Sequence, residues 1–492
     1  MNIKQAKEEL KHTIHAYIRK DEYGLYKIPT VRQRPVLLMG PPGIGKTAIM
    51  EQVAKECEIS LVSYTITHHT RQSAIGLPFI EKKEYGGKNY SITEYTMSEI
   101  IASVYDKIEA SGCREGILFI DEINCVSETL APTMLQFLQG KTFGNHKVPE
   151  GWIIVAAGNP PEYNKSVRDF DIVTLDRVKK IDVEEDYGIW KEYAYERSIH
   201  PAILAYLDVR KEDFYCIETT VDGKQFVTAR GWEDLSQMMY LYEELGYEIT
   251  EDVVIQYVQH PRIAKDFANY LALYQKYKEQ YQIEEILQGR ILKSSVASLQ
   301  KAGFDEKISM ISLLITKLAK GIKEALDQDV FTKELFAYLK EVKAQNEIAV
   351  VKERIEAKLE KMRELEVLDL EKEEQICRIL AKLEEYVPVM EEKGFEGVKE
   401  RFEAQVARRK ELLENSQKRL EYGFVFLEEA FGEGQELVWF VSELTSNYYT
   451  SKFISQFGCE KYFYYNKELL LVEKEQELQK EIDEVKGLLE FM

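Results

Sequence analysis

The run Gly40-Pro41-Pro42-Gly43-Ile44-Gly45-Lys46-Thr47 has the spacing G-x-x-x-x-G-K-[ST], a loop able to wrap a polyphosphate. Its glycines let backbone N–H groups turn toward one concave centre, and Lys46 brings an ammonium to the outer phosphates. Thr47 adds a hydroxyl suited to Mg²⁺. The apolar run Val36-Leu37-Leu38-Met39 precedes the loop and a helical pattern opens at Ala48. The cradle, residues 40–48, therefore joins a strand end to a helix N-terminus, whose partial positive charge favours an anion.

A second apolar run, Ile117-Leu118-Phe119-Ile120, delivers Asp121 and Glu122 at its carboxyl end. Ligands of open α/β sheets bind at that end of the strands. Asp121 is suited to hold Mg²⁺ through water, and Glu122 to activate a water that attacks a γ-phosphate. A third run, Trp152-Ile153-Ile154-Val155-Ala156-Ala157-Gly158, ends in Asn159-Pro160. An amide between the two preceding strands can orient that water and sense the γ-phosphate; an Asx turn before proline is the plainer alternative. Taken together the three sites point to hydrolysis of a Mg²⁺-bound nucleoside triphosphate, and they leave the base, ATP or GTP, open.

These residues need an α/β frame. Short apolar runs at 36–39, 61–64, 117–120, 153–156 and 180–183 alternate with helical patterns, which predicts a five-stranded parallel sheet covered on both faces. Eleven of the twelve prolines lie at or before Pro261. Proline breaks helix interiors, so the stretch beyond permits long helices. Apolar steps of three or four recur there, at Ile348, Val351, Ile355, Leu359 and Met362, at Ile376, Leu380, Leu383 and Val387, and at Leu478, Ile482, Val485 and Leu489. The predicted organisation is an α/β nucleotide-binding core over 1–185 and a helical lid over 186–265. A helical region over 266–345 and a C-terminal helical bundle or coiled coil over 346–492 follow. Within the lid, 214–217 and 225–227 read as a hairpin turning at Asp222-Gly223.

The runs GPPGIGKT, ILFIDE, AAGNPP, LDRVKK and VTARGWEDL resemble an AAA+ ATPase, most closely the MoxR-like branch of the dynein-related group, over residues 28–265. The resemblance implies a sensor role for Asn159 and an arginine finger at Arg177, which enters a neighbouring subunit's site. It also implies a second sensor at Arg230 in the lid. It further implies a homo-oligomeric ring, usually a hexamer, that remodels or activates a protein client as a chaperone does, often with a von Willebrand A-domain partner. Residues 79–93, with Gly86-Gly87 at the turn, lie where this branch inserts a hairpin into helix 2. Residues 141–148 resemble the hairpin before the sensor strand.

Two departures qualify the match. The segment after Asn159-Pro160 reads Pro161-Glu162-Tyr163-Asn164-Lys165-Ser166-Val167-Arg168, and Val178 replaces the phenylalanine of Leu-Asp-Arg-Phe. Arg168 is thus a second finger candidate. The competing function is an NTP-driven motor that handles DNA, in restriction or defence. A chromosome-organising ATPase is disfavoured, because there a long coil separates the two nucleotide motifs, and both lie before residue 123 here.

Bulk properties narrow the setting. A length of 492 residues corresponds to roughly three domains. With 45% apolar and 30% charged residues the chain can bury enough surface to stay ordered. A net charge of −20 argues against coating nucleic acid or anionic membrane, and no run of 18 apolar residues suggests a membrane span. Six scattered cysteines without a CxxC pair fit a reducing cytoplasm better than a disulfide framework or zinc ribbon. The pair His68-His69 with Arg71 reads as a loop, and the acidic clusters of the helical tail as solvated faces or a surface for a basic protein partner.

Overall fold

Five parallel strands form the frame of the first half, in the spatial order Ser60–Thr65, Gly116–Asp121, Trp152–Gly158, Val36–Met39 and Lys179–Asp182. The computed structural model describes residues 1–68, 76–143, 145–163, 170–220, 223–345, 347–364 and 370–467. Arg168, His69, Arg71, Gly144, Asp222 and the 478–489 pattern lie outside them. One compact unit comprises Met1–Ile189 with Thr228–Arg230 and residues 360–364; the other comprises Trp190–Val227, Gly231–Leu359 and the helices beyond residue 369.

The first unit opens with helix α1 (Ile3–Ile18), capped by a reciprocal Asn2–Gln5 box. Then come β1 (Val36–Met39), α2 (Ala48–Glu56), β2 (Ser60–Thr65), β3 (Pro78–Tyr85) and β4 (Lys88–Tyr95). Helix α3 (Glu99–Ser111), β5 (Gly116–Asp121), α4 (Ala131–Gly140), β6 (Thr142–Phe143) and β7 (His146–Lys147) follow. The unit is completed by β8 (Trp152–Gly158), the short α5 (Ile172–Leu175) and β9 (Lys179–Asp182). All five sheet strands fall on the runs the sequence singles out.

The strand period of two divides the core. Val36, Leu38, Ile117, Phe119, Ile153, Val155 and Ile181 pack against α1 and α2 through Leu10, Ile14, Ile49 and Val53. Their neighbours Leu37, Met39, Leu118, Ile120, Ile154 and Ala156 face α3 and α4 through Ile101, Val104, Met134 and Phe137. Every residue of β1 and β8 is buried, whereas β2, at the sheet edge, is buried only in part. Burial on both faces explains why the central strands are apolar without alternation.

The two predicted hairpins of this unit are present. In β3–β4 the register runs from Pro78 opposite Tyr95 to Tyr85 opposite Lys88. Gly86 and Gly87 at its turn have φ of 57° and 78°, the left-handed pair that a two-residue turn demands. In β6–β7, Phe143 stacks on Phe137 of α4 with ring centroids 4.0 Å apart.

Among its described residues the second unit is helical except for one hairpin, β10 (Cys216–Thr220) with β11 (Gly223–Val227), which lies where the sequence predicts it. Helices α6 (Tyr187–Glu196) and α7 (Pro201–Val209) precede the hairpin. After it come α8 (Ala229–Leu245), α9 (Glu251–Val254), α10 (Pro261–Tyr281), α11 (Ile283–Leu287), α12 (Lys293–Gln300) and α13 (Phe304–Gln345). The chain continues through α14 (Ile348–Glu364), α15 (Leu370–Phe431), α16 (Gln435–Ser446) and α17 (Tyr448–Phe457).

The 62-residue α15 is not one rod: Gly394, at φ 65° and ψ −162°, breaks it. Before the break, Glu371 pairs with Lys323 and Arg378 donates to Gln328, so that arm runs in the same direction as α13. After it, Arg409 meets Asp329 and Ser416 donates to Gly321, so the second arm runs against α13. The chain reverses and both arms cover one helix, which makes a bundle with its own core.

Buried charges tie the start of this unit to its end. Lys191 of α6 pairs with Asp208 of α7 at 2.6 Å and with Glu443 of α16 at 2.5 Å. Glu443 also accepts hydrogen bonds from Tyr195 and from Trp439. Helix α13 packs on α7 as well, so the residues on either side of 265 share one core.

Among the described residues no helix is long and apolar enough to cross a membrane. All six cysteines are free thiols.

Candidate active site

Strands β1, β8 and β5 are neighbours, so the polyphosphate loop, Asn159 and Asp121-Glu122 emerge side by side at their carboxyl ends. Asn159 stands between the other two, as the sequence implies.

The loop after β1 is shaped by Gly43 and Gly45, at φ 75° and 91°, values that any residue with a Cβ adopts only under strain. Lys46 closes it. Its buried ammonium donates to the carbonyls of Gly40 at 2.8 Å and Pro41 at 2.7 Å, and to Asn159 Oδ1 at 2.9 Å. A lysine only donates, so the accepting atom of Asn159 is its oxygen, and the amide NH₂ is left as a donor. Thr47 Oγ1 donates to Asp121 Oδ2 at 2.7 Å, which places a hydroxyl and a carboxylate together as an oxygen donor set for a hard cation.

Glu122 differs from every strand residue before it. Its φ is 56°, and its N–H turns back to Asp121 Oδ1 at 2.9 Å. Non-glycine residues in this region cost about 1–3 kcal/mol and persist where the surroundings impose them. The turn carries the Glu122 carboxylate off the end of β5, separate from Asp121.

One residue of the site has no motif to announce it. Asn124, buried, donates to the Asn159 carbonyl at 2.8 Å and accepts from the Asn159 N–H at 3.3 Å. Ile123 N–H adds a bond to the Ala157 carbonyl at 2.9 Å. This clamp fixes the direction of the Asn159 side chain. It also explains Gly158, where a Cβ would lie 2.6 Å from Asn124 Oδ1. The only sequence signal is a polar residue two places beyond Glu122.

The arginines differ in placement. Thr228–Arg230 lies over the loop: a Cβ on Gly43 would stand 3.1 Å from Thr228 and 3.6 Å from Arg230. Arg177, exposed after α5, donates to Gln139 of α4 and takes no part in the hydrogen bonds that join Lys46, Thr47, Asp121 and Asn159. Val178 is buried in the core.

Burial pushes the Lys46 ammonium down to about 8, with Asp121 and Glu122 opposing the shift and Arg230 adding to it. A phosphate beside it favours the charged form. Nucleotide binding is therefore strongest below about pH 8 and should weaken as the pH rises through that value, with protons taken up on binding. Calorimetric titration between about pH 7 and pH 9.5, in buffers of different ionisation heat, reads both effects. A flat affinity without proton uptake would show the lysine charged throughout.

Residues 36–175 match the family described as ATPase family associated with various cellular activities (AAA). The matched stretch runs from the start of β1 to the end of α5, and so contains the loop, both carboxylates, Asn124 and Asn159. No curated protein matches the chain. Among solved structures, a proposed ATPase from Cytophaga hutchinsonii is 16% identical over 37% of this chain, with a TM-score of 0.22, too slight a likeness to bear on function. This chain spans 52%, about half, of that protein. The match to an AAA ATPase domain is thus confined to residues 36–175, the stretch whose strand ends hold the geometry of a nucleoside triphosphate site.

Proposed function

We propose that this chain is a MoxR-like AAA+ ATPase that hydrolyses Mg²⁺-ATP as a ring, hexameric in form, and remodels or activates a protein client. The convergence of Lys46, Thr47, Asp121, Glu122 and Asn159 at three adjacent strand ends supports the chemistry. The β3–β4 and β6–β7 hairpins, at the positions expected for this branch, support the subgroup. Phe79, Ile80, Tyr85 and Tyr90 are exposed on the first of them and offer apolar contacts to a polypeptide. A von Willebrand A-domain protein is the proposed partner, and the helical bundle beyond residue 266 the surface that recruits it.

The residues act in order. Backbone N–H groups of the loop and the α2 N-terminus hold the phosphates, and the Lys46 ammonium compensates the outer charge. Thr47 and Asp121 fit Mg²⁺, which when bound neutralises charge on the β- and γ-phosphates. Glu122 takes the proton of the attacking water. The Asn159 NH₂ group, aimed by Asn124 and Lys46, orients that water. Arg177, which bonds Gln139 and not the site of its own chain, serves a neighbour's in this reading, while Arg230 reads the nucleotide from beside the loop.

Mixing tests the shared site. Lys46→Ala cannot bind nucleotide, and Arg177→Ala should bind it yet lose about 10³-fold in turnover. Combined, the two inactive proteins should regain part of the wild-type rate at interfaces that join an intact loop to an intact finger. Lack of recovery, with full activity of Arg177→Ala alone, would refute the ring.

A further inference from the structure

Three side chains of the second unit, unrelated to nucleotide chemistry, converge beside the β10–β11 hairpin. Cys216 and Glu218 are two residues apart on β10, so they leave the same face of the strand. His260 immediately precedes α10, held there by the Phe226 N–H, which donates to the Gln259 carbonyl at 3.0 Å. The hairpin and the start of α10 are thus locked together, and their three ligand atoms lie within 4.8 Å of one another. Cys216 Sγ is 3.7 Å from one oxygen of Glu218, and His260 Nε2 is 3.4 Å from the other.

His260 supplies a second, independent observation. Only 2% exposed, it is buried with neither ring nitrogen in a hydrogen bond. Buried imidazole nitrogens are ordinarily hydrogen-bonded, so a ring that stands 3.4 Å from a carboxylate without bonding it points to a missing electrophile. Arg262, which acts on Cys216 electrostatically, does not fill that part, because it is bound to Asp213 at 2.9 Å.

We propose that Cys216, Glu218 and His260 form a binding site for a transition-metal ion, Zn²⁺ in the first instance. Sulfur, imidazole nitrogen and carboxylate oxygen together suit a borderline-soft ion and disfavour Mg²⁺ or Ca²⁺. Bond lengths of about 2.0–2.3 Å to zinc put tetrahedral ligand atoms about 3.3–3.8 Å apart, and Cys216 and His260 each stand within that range of one oxygen of the Glu218 carboxylate. Glu218 is exposed and opens the site to solvent, which leaves a fourth position for water. The ion would clip the hairpin to the start of α10, as a cross-link between segments some forty residues apart in the chain.

The experiment uses the full chain, stripped by a chelator and titrated with Co²⁺ alone. Co²⁺ bound to a thiolate gives a charge-transfer absorption in the near ultraviolet, which an oxygen-only Mg²⁺ site cannot give. The expected result is saturation at one equivalent, displacement by Zn²⁺, and loss of the band in Cys216→Ser. Glu218→Gln should weaken binding at least about tenfold. Both substitutions fall on the partly exposed hairpin, and circular dichroism checks that the fold is kept. Zn²⁺ should also raise the melting temperature of the wild type by about 3 °C or more, and not that of Cys216→Ser. No saturable band in the wild type, or a band that survives in Cys216→Ser, overturns the assignment.

Discussion

Glu122→Gln should bind ATP as the wild type does and hydrolyse it about 10²–10⁴-fold more slowly. The amide keeps the size of the carboxylate, so the left-handed turn at φ 56° and the N–H bond to Asp121 Oδ1 survive. What it loses is the basicity that draws a proton from water. Because Lys46, Thr47 and Asp121 are untouched, phosphate release and nucleotide affinity separate cleanly. Affinity measured with a fluorescent analogue should stay within about twofold, while steady-state turnover collapses. Turnover at the wild-type rate would mean that another group activates the water. A matching loss of affinity would place Glu122 in the binding of the cation.

The largest expected effect on stability belongs to Lys191→Met. Lys191, Asp208 and Glu443 are all nearly inaccessible to solvent, and the ammonium is the cation between two carboxylates. Removing it leaves like charges facing each other in a poorly solvated interior, at a cost of about 3–5 kcal/mol. The ammonium joins α6 and α7 to α16, so the loss should unfold the second unit as a whole. Tryptophan fluorescence reports it, since Trp190, Trp232 and Trp439 lie there and Trp152 alone lies in the first unit. Adding Asp208→Asn and Glu443→Gln to Lys191→Met should recover most of the loss. The three side chains then carry no charge, while the amide oxygen introduced by Glu443→Gln can still accept from Tyr195 and Trp439. A change under about 1 kcal/mol in the single variant would show that the triad is hydrated.

The legible part of the site is the part built by short-range rules. A glycine-rich loop between a strand and a helix, and a carboxylate pair at a strand end, are each written in fewer than ten consecutive residues. The parallel sheet was legible for a similar reason: β1, β5 and β8 are buried on both faces and must be apolar throughout. The β3–β4 hairpin was legible from Gly86-Gly87, which only a left-handed turn explains. Asn124 was not legible. Its value lies in two hydrogen bonds to a residue 35 positions away, and a lone asparagine in a polar turn carries no pattern.

The sequence by itself thus determined the candidate site: which glycine-rich loop joins a strand to a helix, which polar and charged residues follow the strands, and which strands present them. Tertiary structure alone decided how the rest is joined. The break at Gly394 could have been one more helix-weakening glycine until Arg378 and Arg409 were seen to approach α13 in opposite directions. Lys191 and Glu443 meet across 252 positions, and His260 meets Glu218 from another element. The physical reason is common to all of them. Local geometry and periodicity are properties of neighbouring residues, and sequence records them directly. A buried charge or an unpaired imidazole depends on which distant side chain the folded core brings within a few ångströms, and no spacing along the chain encodes that.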